Sequence, residues 1–174
     1  MITWLILLVC LFAAAFLAWR DQHRKTKKLQ SEIDRNNDAI LKRRGEQAKL
    51  VWDKASELLK RPSSLMPFQA LYVAGAPDLE TNAQLVEVAG KISEHHHHPL
   101  QWMGKYVPQE EWLSFLQWGK RHPDFNFEKG DHYFKGLVQW AVRHNRGTEE
   151  SIAAEIIRGL ADHGSNAITS HELA

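Results

Sequence analysis

The first nineteen residues, Met1 to Trp19, carry no charged side chain, and Arg20, Arg24, Lys25, Lys27 and Lys28 follow at once. An α-helix rises ~1.5 Å per residue, so ~18 apolar residues reach roughly 27 Å, close to the ~30 Å hydrocarbon core of a bilayer. A transmembrane anchor over residues 1–19, closed by a basic stop, is the first expectation. Trp4 and Trp19 stand near its ends, where indole rings favour the headgroup layer. A cleaved signal peptide competes, since Ala13, Ala14 and Ala15 offer small residues to a peptidase. Against it, no Lys or Arg precedes the apolar run, and the run continues through Phe16, Leu17 and Trp19. Lipoprotein processing at Cys10 is disfavoured by the bulky Val9 before it.

Lys and Arg beside a span tend to stay cytoplasmic, and here they all follow it. The expected location is a bacterial-type inner membrane or its equivalent, with the C-terminal domain cytoplasmic. Cys10 is the single cysteine, so residues 20–174 cannot form an internal disulfide, which suits a reducing compartment. From Arg20 to Arg61 there are 13 basic and 7 acidic residues; from Pro62 onward there are 9 and 14. A basic stem thus leads into an acidic head. The five basic residues after the span can meet anionic lipid headgroups, or serve simply as a stop-transfer flank.

Residues 20–46 read as a helical stem. Leu29, Ile33 and Ile40 follow a heptad, with Asn36 as its polar seam position, so a short coiled coil and a homo-oligomer through the stem compete with a lone helix. After Gly45 the apolar set becomes Leu50, Val51, Trp52, Ala55, Leu58 and Leu59, which opens a globular domain over residues 47–164. Pro62 ends that helix. Ser64 can cap a short helix carrying Phe68, Leu71 and Tyr72 up to Gly75. Asp78 or Thr81 can cap the next, whose inner face is Leu85, Val86, Ala89 and Ile92.

Another helix opens at Pro108, Glu110 and Glu111, with Trp112, Phe115 and Leu116 along its apolar edge. Asp131 caps a further one bearing Phe134, Leu137, Val138 and Ala141, widened by Tyr133 and Trp140. Thr148 caps the last, with Ile152, Ile156, Ile157 and Leu160 inward and Gly164 as its stop; residues 165–174 are left as a tail. No run alternates apolar and polar residues at period two, so the chain reads as all-α: an N-terminal span, a helical stem and a compact multi-helix domain.

His95, His96, His97 and His98 are the sharpest candidate metal ligands, for Zn, Ni or Cu. Four consecutive residues cannot all bind one ion as a rigid set, and no Cys or paired-His spacing completes a site unless Glu94, His122, His132 or His144 converge on it. The loop from Lys120 to Tyr133 gathers Arg121, His122, Asp124, Glu128, Asp131 and His132, material for acid–base work, while Phe125 and Phe127 pin it to the core. No spacing matches a nucleophile elbow, a phosphate-binding glycine loop or a metalloprotease helix, so no catalytic residue and no cofactor is assigned.

Trp112 and Trp118 lie about 600° apart around a helix and hence on different faces. Trp118, with Trp102 or Tyr106, is the candidate partner-binding surface, in competition with the reading in which all the tryptophans are core anchors of a small domain, as aromatics usually are. Nucleic acid is disfavoured because the folded part is acidic. These features point to a single-pass membrane protein whose helical head binds a protein partner at the membrane surface. The alternatives are a metal-handling membrane protein using the histidine loop, and an envelope or lysis factor with its domain outside the cytoplasm.

Overall fold

The computed structural model describes residues 2–60, 66–95 and 101–162, without the side chains of residues 2–3, 5–14, 95, 101 and 162. Among the described residues the regular secondary structure is all helix, with no strand. Helix α1 spans Ile2–Lys60, α2 Pro67–Ala74, α3 Asn82–His95 and α4 Gln101–Tyr106; α5 spans Trp112–Arg121, α6 Gly130–Arg143 and α7 Glu149–Asp162. Short 3₁₀ turns at Ala76–Asp78 and Gln109–Glu111 precede α3 and α5. The chain divides into two units, Met1–Arg43 and Arg44–Ala174. Among the described residues no helix is long and apolar enough to cross a membrane, and most side chains of the segment expected to do so lie outside the description.

In the first unit, Leu29, Ile33, Ile40 and Leu41 are all exposed. The second unit begins three residues before the expected boundary at Gln47. There the inward stripe of α1 is Ala48, Val51 and Ala55, with Trp52, Leu58 and Leu59 half-buried, while Leu50 is 68% exposed. The expectation that Leu50 faces the core is corrected. A face spaced at three and four residues that holds Val51 and Ala55 takes Ala48 and leaves Leu50 outside. The Arg44 carbonyl accepts from Gln84 Nε2 at 2.7 Å, and Arg44 Nε donates to Glu80 at 3.0 Å, which docks this end of α1 on the start of α3.

The caps explain the remaining boundaries. Helix α2 starts after Met66, whose N–H donates to Gln69 Oε1 at 2.9 Å; Ser64, the expected cap, lies outside the described residues. It stops at Gly75, whose φ of 100° is the left-handed conformation that an L side chain resists. Thr81, rather than Asp78, caps α3 as a reciprocal box: the Thr81 hydroxyl accepts from the Gln84 N–H at 3.3 Å, and Gln84 Oε1 accepts from the Thr81 N–H at 2.9 Å. Asp78 instead pairs with Lys120. On α3, Val88 takes the buried place expected for Val86, because Leu85, Val88, Ala89 and Ile92 recur on one face.

Helix α4 was not expected from the sequence, and Glu111 ends a 3₁₀ turn rather than lying inside α5. Asn82 ties these pieces together: its side chain donates to the Gln109 carbonyl at 2.6 Å and accepts the Leu113 N–H at 2.8 Å. Asp131 sits in the first turn of α6 behind Lys129 at the N-cap. Asn145, with φ of 56°, closes α6: the Arg146 N–H reaches the Ala141 carbonyl at 2.9 Å and the Asn145 N–H reaches Val142 at 3.0 Å. Thr148 caps α7 as expected, accepting the Ser151 N–H at 3.3 Å; Ile152, Ile156 and Leu160 are buried, Ile157 is only half-buried, and Gly164, the expected stop, lies outside the described residues.

Candidate functional site

The centre of the head is aromatic. Phe127, from the loop between α5 and α6, is fully buried and lies against Gly119 of α5 and Gly136 of α6. A Cβ at Gly136 would fall 2.5 Å from its ring, and one at Gly119 would collide with it as well. Two glycines therefore make the slot that admits the wedge. Phe115 and Tyr133 close around Phe127 with centroids at 5.1 and 5.5 Å. The loop is also held by hydrogen bonds from Gln69 Nε2 to the Glu128 carbonyl at 2.8 Å and from the Asn126 N–H to His132 Nδ1 at 3.2 Å. The expected pinning of this loop by Phe127 is realised, with Phe125 half-buried on Trp118 at 5.1 Å.

Around this slot the chain uses one pattern twice. Gln117-Trp118-Gly119-Lys120-Arg121-His122 and Gln139-Trp140-Ala141-Val142-Arg143-His144 share Gln-Trp-small-x-Arg-His at the C-terminal ends of α5 and α6. In each copy the imidazole Nδ1 lies 2.8 Å from the Trp carbonyl four residues back. In each the ring rests on the indole, with centroids at 4.5 Å in the first copy and 4.3 Å in the second. The terminal carbonyls of a helix run short of intrahelical donors, and the imidazole supplies one to Trp118, while the Trp140 carbonyl accepts the His144 N–H at 3.1 Å as well. A carbonyl can only accept, so the proton of the neutral ring sits on Nδ1 and the lone pair on Nε2.

The two copies meet where Trp118 and Trp140 pack edge to face at 5.6 Å, and the Arg143 guanidinium lies 5.7 Å from the Trp118 ring centre. Lys120, Arg121, Arg143 and His144 are exposed at this corner beside half-buried His122 and Phe125; Asp124 and Glu128 are the exposed acidic groups of the same loop. Lys120 is engaged by Asp78, and Arg121 Nε donates to the Gln117 carbonyl at 3.1 Å. The result is a cationic corner built on two indoles. The sequence-based expectation rests on single residues of this loop, whereas the repeated Gln-Trp-x-x-Arg-His pattern is the signal in the sequence that marks the corner.

The expected partner-binding residues are placed differently. Trp118 is only 7% exposed and Trp112 is half-buried, so the two do occupy different faces, with Trp118 on the inner one. Trp118 turns inward because Phe115, Trp140 and Phe127 share its side of α5. Tyr106 is buried as well, and its hydroxyl donates to Glu155, which also accepts from Lys105. Burial first, then the bond to Glu155, pushes the Tyr106 phenol up, while Lys105 and Tyr106 hold the Glu155 carboxyl below the usual range. Trp102 is half-buried against Gly159, and Lys105 Nζ lies 5.7 Å from its ring centre. Trp102 and Tyr106 therefore share one cluster on α4 and α7, and Trp118 belongs to another.

Arg20, Arg24, Lys25, Lys27 and Lys28 are all exposed on α1, with Lys25 paired to Asp21 at 2.8 Å. His96, His97 and His98, and the side chain of His95, lie outside the described residues. His122 and His144 stack on separate tryptophans and His132 pairs with Asp131 at 3.6 Å, so these three rings have separate partners. Among the described residues no group of three or more His, Cys, Asp or Glu is placed to hold a metal ion. An open groove of about 210 Å³ runs between Val51, Ala74, Gly75 and Leu79 with Leu50 on its rim, and Asp78 and Gln47 are its polar lining. No protein-family model matches the chain, and neither does any curated protein or solved structure.

Proposed function

We propose that this chain is a single-pass, membrane-anchored interaction module whose helical head holds or modulates a protein partner at the membrane surface. The observation that carries the reading is the exposure of large apolar side chains at the start of α1: Trp4 at 75%, Phe16 at 57%, Leu17 at 56% and Trp19 at 60%. Water is a poor environment for such a set, and clustered exposed apolar side chains mark membrane or protein contact. The uncharged sequence from Met1 to Trp19 favours lipid, and the exposed Arg20, Arg24, Lys25, Lys27 and Lys28 favour its anionic boundary.

The partner surface is assigned to the α5–α6 corner, where Arg121, Arg143 and His144 are presented on a rigid aromatic base, rather than to Trp118 and Tyr106, which packing already uses. Guanidinium groups held this way suit an acidic segment of a partner protein. The anchor is tested by alkaline carbonate extraction and by labelling a cysteine engineered near Ala174 with an impermeant reagent in intact cells. Retention in the pellet without labelling is expected; extraction into the supernatant removes the anchor, and labelling reverses the orientation. The corner is tested by crosslinking in native membranes, where Arg121→Glu with Arg143→Glu is expected to abolish a specific adduct that the parent chain forms. An adduct that survives the double change overturns this surface.

A further inference from the structure

The stem of α1 separates its charges by face. With Ile33 and Ile40 at the first position (a) of a heptad and Leu29 and Asn36 at the fourth (d), Thr26 completes the seam on its N-terminal side. The flanking e and g positions hold Gln30, Glu32, Asn37 and Ala39. Over residues 26–41 the seam and its flanks thus carry one charge, Glu32. The other charged residues of that stretch, Lys27, Lys28, Asp34, Arg35 and Asp38, occupy the outer positions. Leu29, Ile33 and Ile40 are 59%, 50% and 45% exposed, so within the first unit and among the described residues this sorted face is uncovered.

We propose that the occupant of this face is a second copy of the same chain, paired parallel and in register through residues 26–41. The face is nearly uncharged despite the basic stem around it, so it offers an oppositely charged partner little to pair with and does not repel its own copy. In the parallel register Glu32 lies near Asn37 of the second copy and Lys25 near Gln30, which brings no like charges together. Ile at a with Leu29 at d favours two strands over three or four, and the polar Asn36 at the other d position lowers the stability of the seam. The pairing is short, roughly 24 Å of helix at ~1.5 Å per residue, and so belongs to chains held close to one another. It does not depend on the partner surface of the head, and it can hold whether or not the apolar segment spans a bilayer.

The test uses the full-length chain in detergent micelles with Cys10→Ser as background and single cysteines at Ile33, Ile40, Asp34 or Asp38. Mild oxidation is expected to give disulfide-linked dimers at Ile33→Cys and Ile40→Cys about fivefold more readily than at the outer positions, because only seam residues bring their Cβ atoms within bonding reach. In the Ile40→Cys background, Ile33→Asp is expected to abolish the product while the unfolding of the head, followed by tryptophan fluorescence, is unchanged. Equal crosslinking at all four positions, none at any, or a product that survives Ile33→Asp overturns the pairing.

Discussion

Leu29 and Leu71 are the same side chain in the same secondary structure, yet the first is 59% exposed and the second 1%. Leu71 sits in the eight-residue helix α2, held by its neighbours in the head; Leu29 sits in a stretch of α1 whose described apolar side chains are exposed. The difference separates two ways of using an apolar residue. In the head, burial of apolar surface drives the fold, at roughly 25 cal/mol per Å². In the stem, the apolar residues contribute little until something outside the chain covers them.

The sharpest way to break that contrast is to remove the wedge of the head. Phe127→Ala deletes a ring seated between two glycines and is expected to cost about 3–5 kcal/mol in a urea titration of the full-length chain. Stem crosslinking at residue 33 should persist in this variant under native conditions. If it disappears, the two units are not independent in the sense the contrast requires.

A smaller effect of opposite sign is expected at Tyr133. Its hydroxyl is fully buried and has no hydrogen-bond partner among the described residues, and burial drives its phenol well above the ordinary value of 10.0. Tyr133→Phe is therefore expected to stabilise the head by about 1 kcal/mol. The same burial sets a pH dependence. The folded phenol keeps its proton while the unfolded one loses it, so the contribution is full below pH ~10 and declines as pH rises beyond that, by at most ~1.4 kcal/mol per unit. Urea midpoints between pH 9 and 11 should fall more steeply for the parent chain than for Tyr133→Phe; parallel curves would remove Tyr133 as the cause.

The cap of α3 comes next. Thr81→Ala removes the hydroxyl that accepts the Gln84 N–H and should cost about 1 kcal/mol, whereas Thr81→Ser should retain most of it. The smallest effect sharpens the comparison from the other side. Leu29→Ser is expected to move the stability of the head by less than ~0.5 kcal/mol, because an exposed side chain loses no burial. A large loss there would mean that the head covers the stem.

Much of the head was legible from local signals. Thr81, Gly75 and Thr148 act at their helix ends because caps depend on a few neighbouring atoms. The faces of α6 and α7 follow from three- and four-residue spacing, and Val86 and Leu50 failed where a neighbouring apolar residue offered an equally plausible phase. Helix α4 escaped notice because six residues beside a histidine run carry too little periodicity to stand out. The two Trp-x-x-Arg-His segments form a repeat only as long as one helix end, and no spacing within either helix shows that they meet at a corner.

The sequence by itself determined that the chain is helical, where most of its helices start and stop, and that an uncharged segment and a basic flank precede an acidic head. Those properties are set by hydrogen-bond caps, side-chain period and charge, each of which acts over a few residues. Only the tertiary structure decided which aromatics are core and which are surface. Trp118 is buried because Gly119 and Gly136 let Phe127 between two helices, and because the second Trp-x-x-Arg-His segment brings Trp140 against it. That outcome joins residues far apart in the chain, and side-chain spacing within one helix holds no information about what another helix will bring to it.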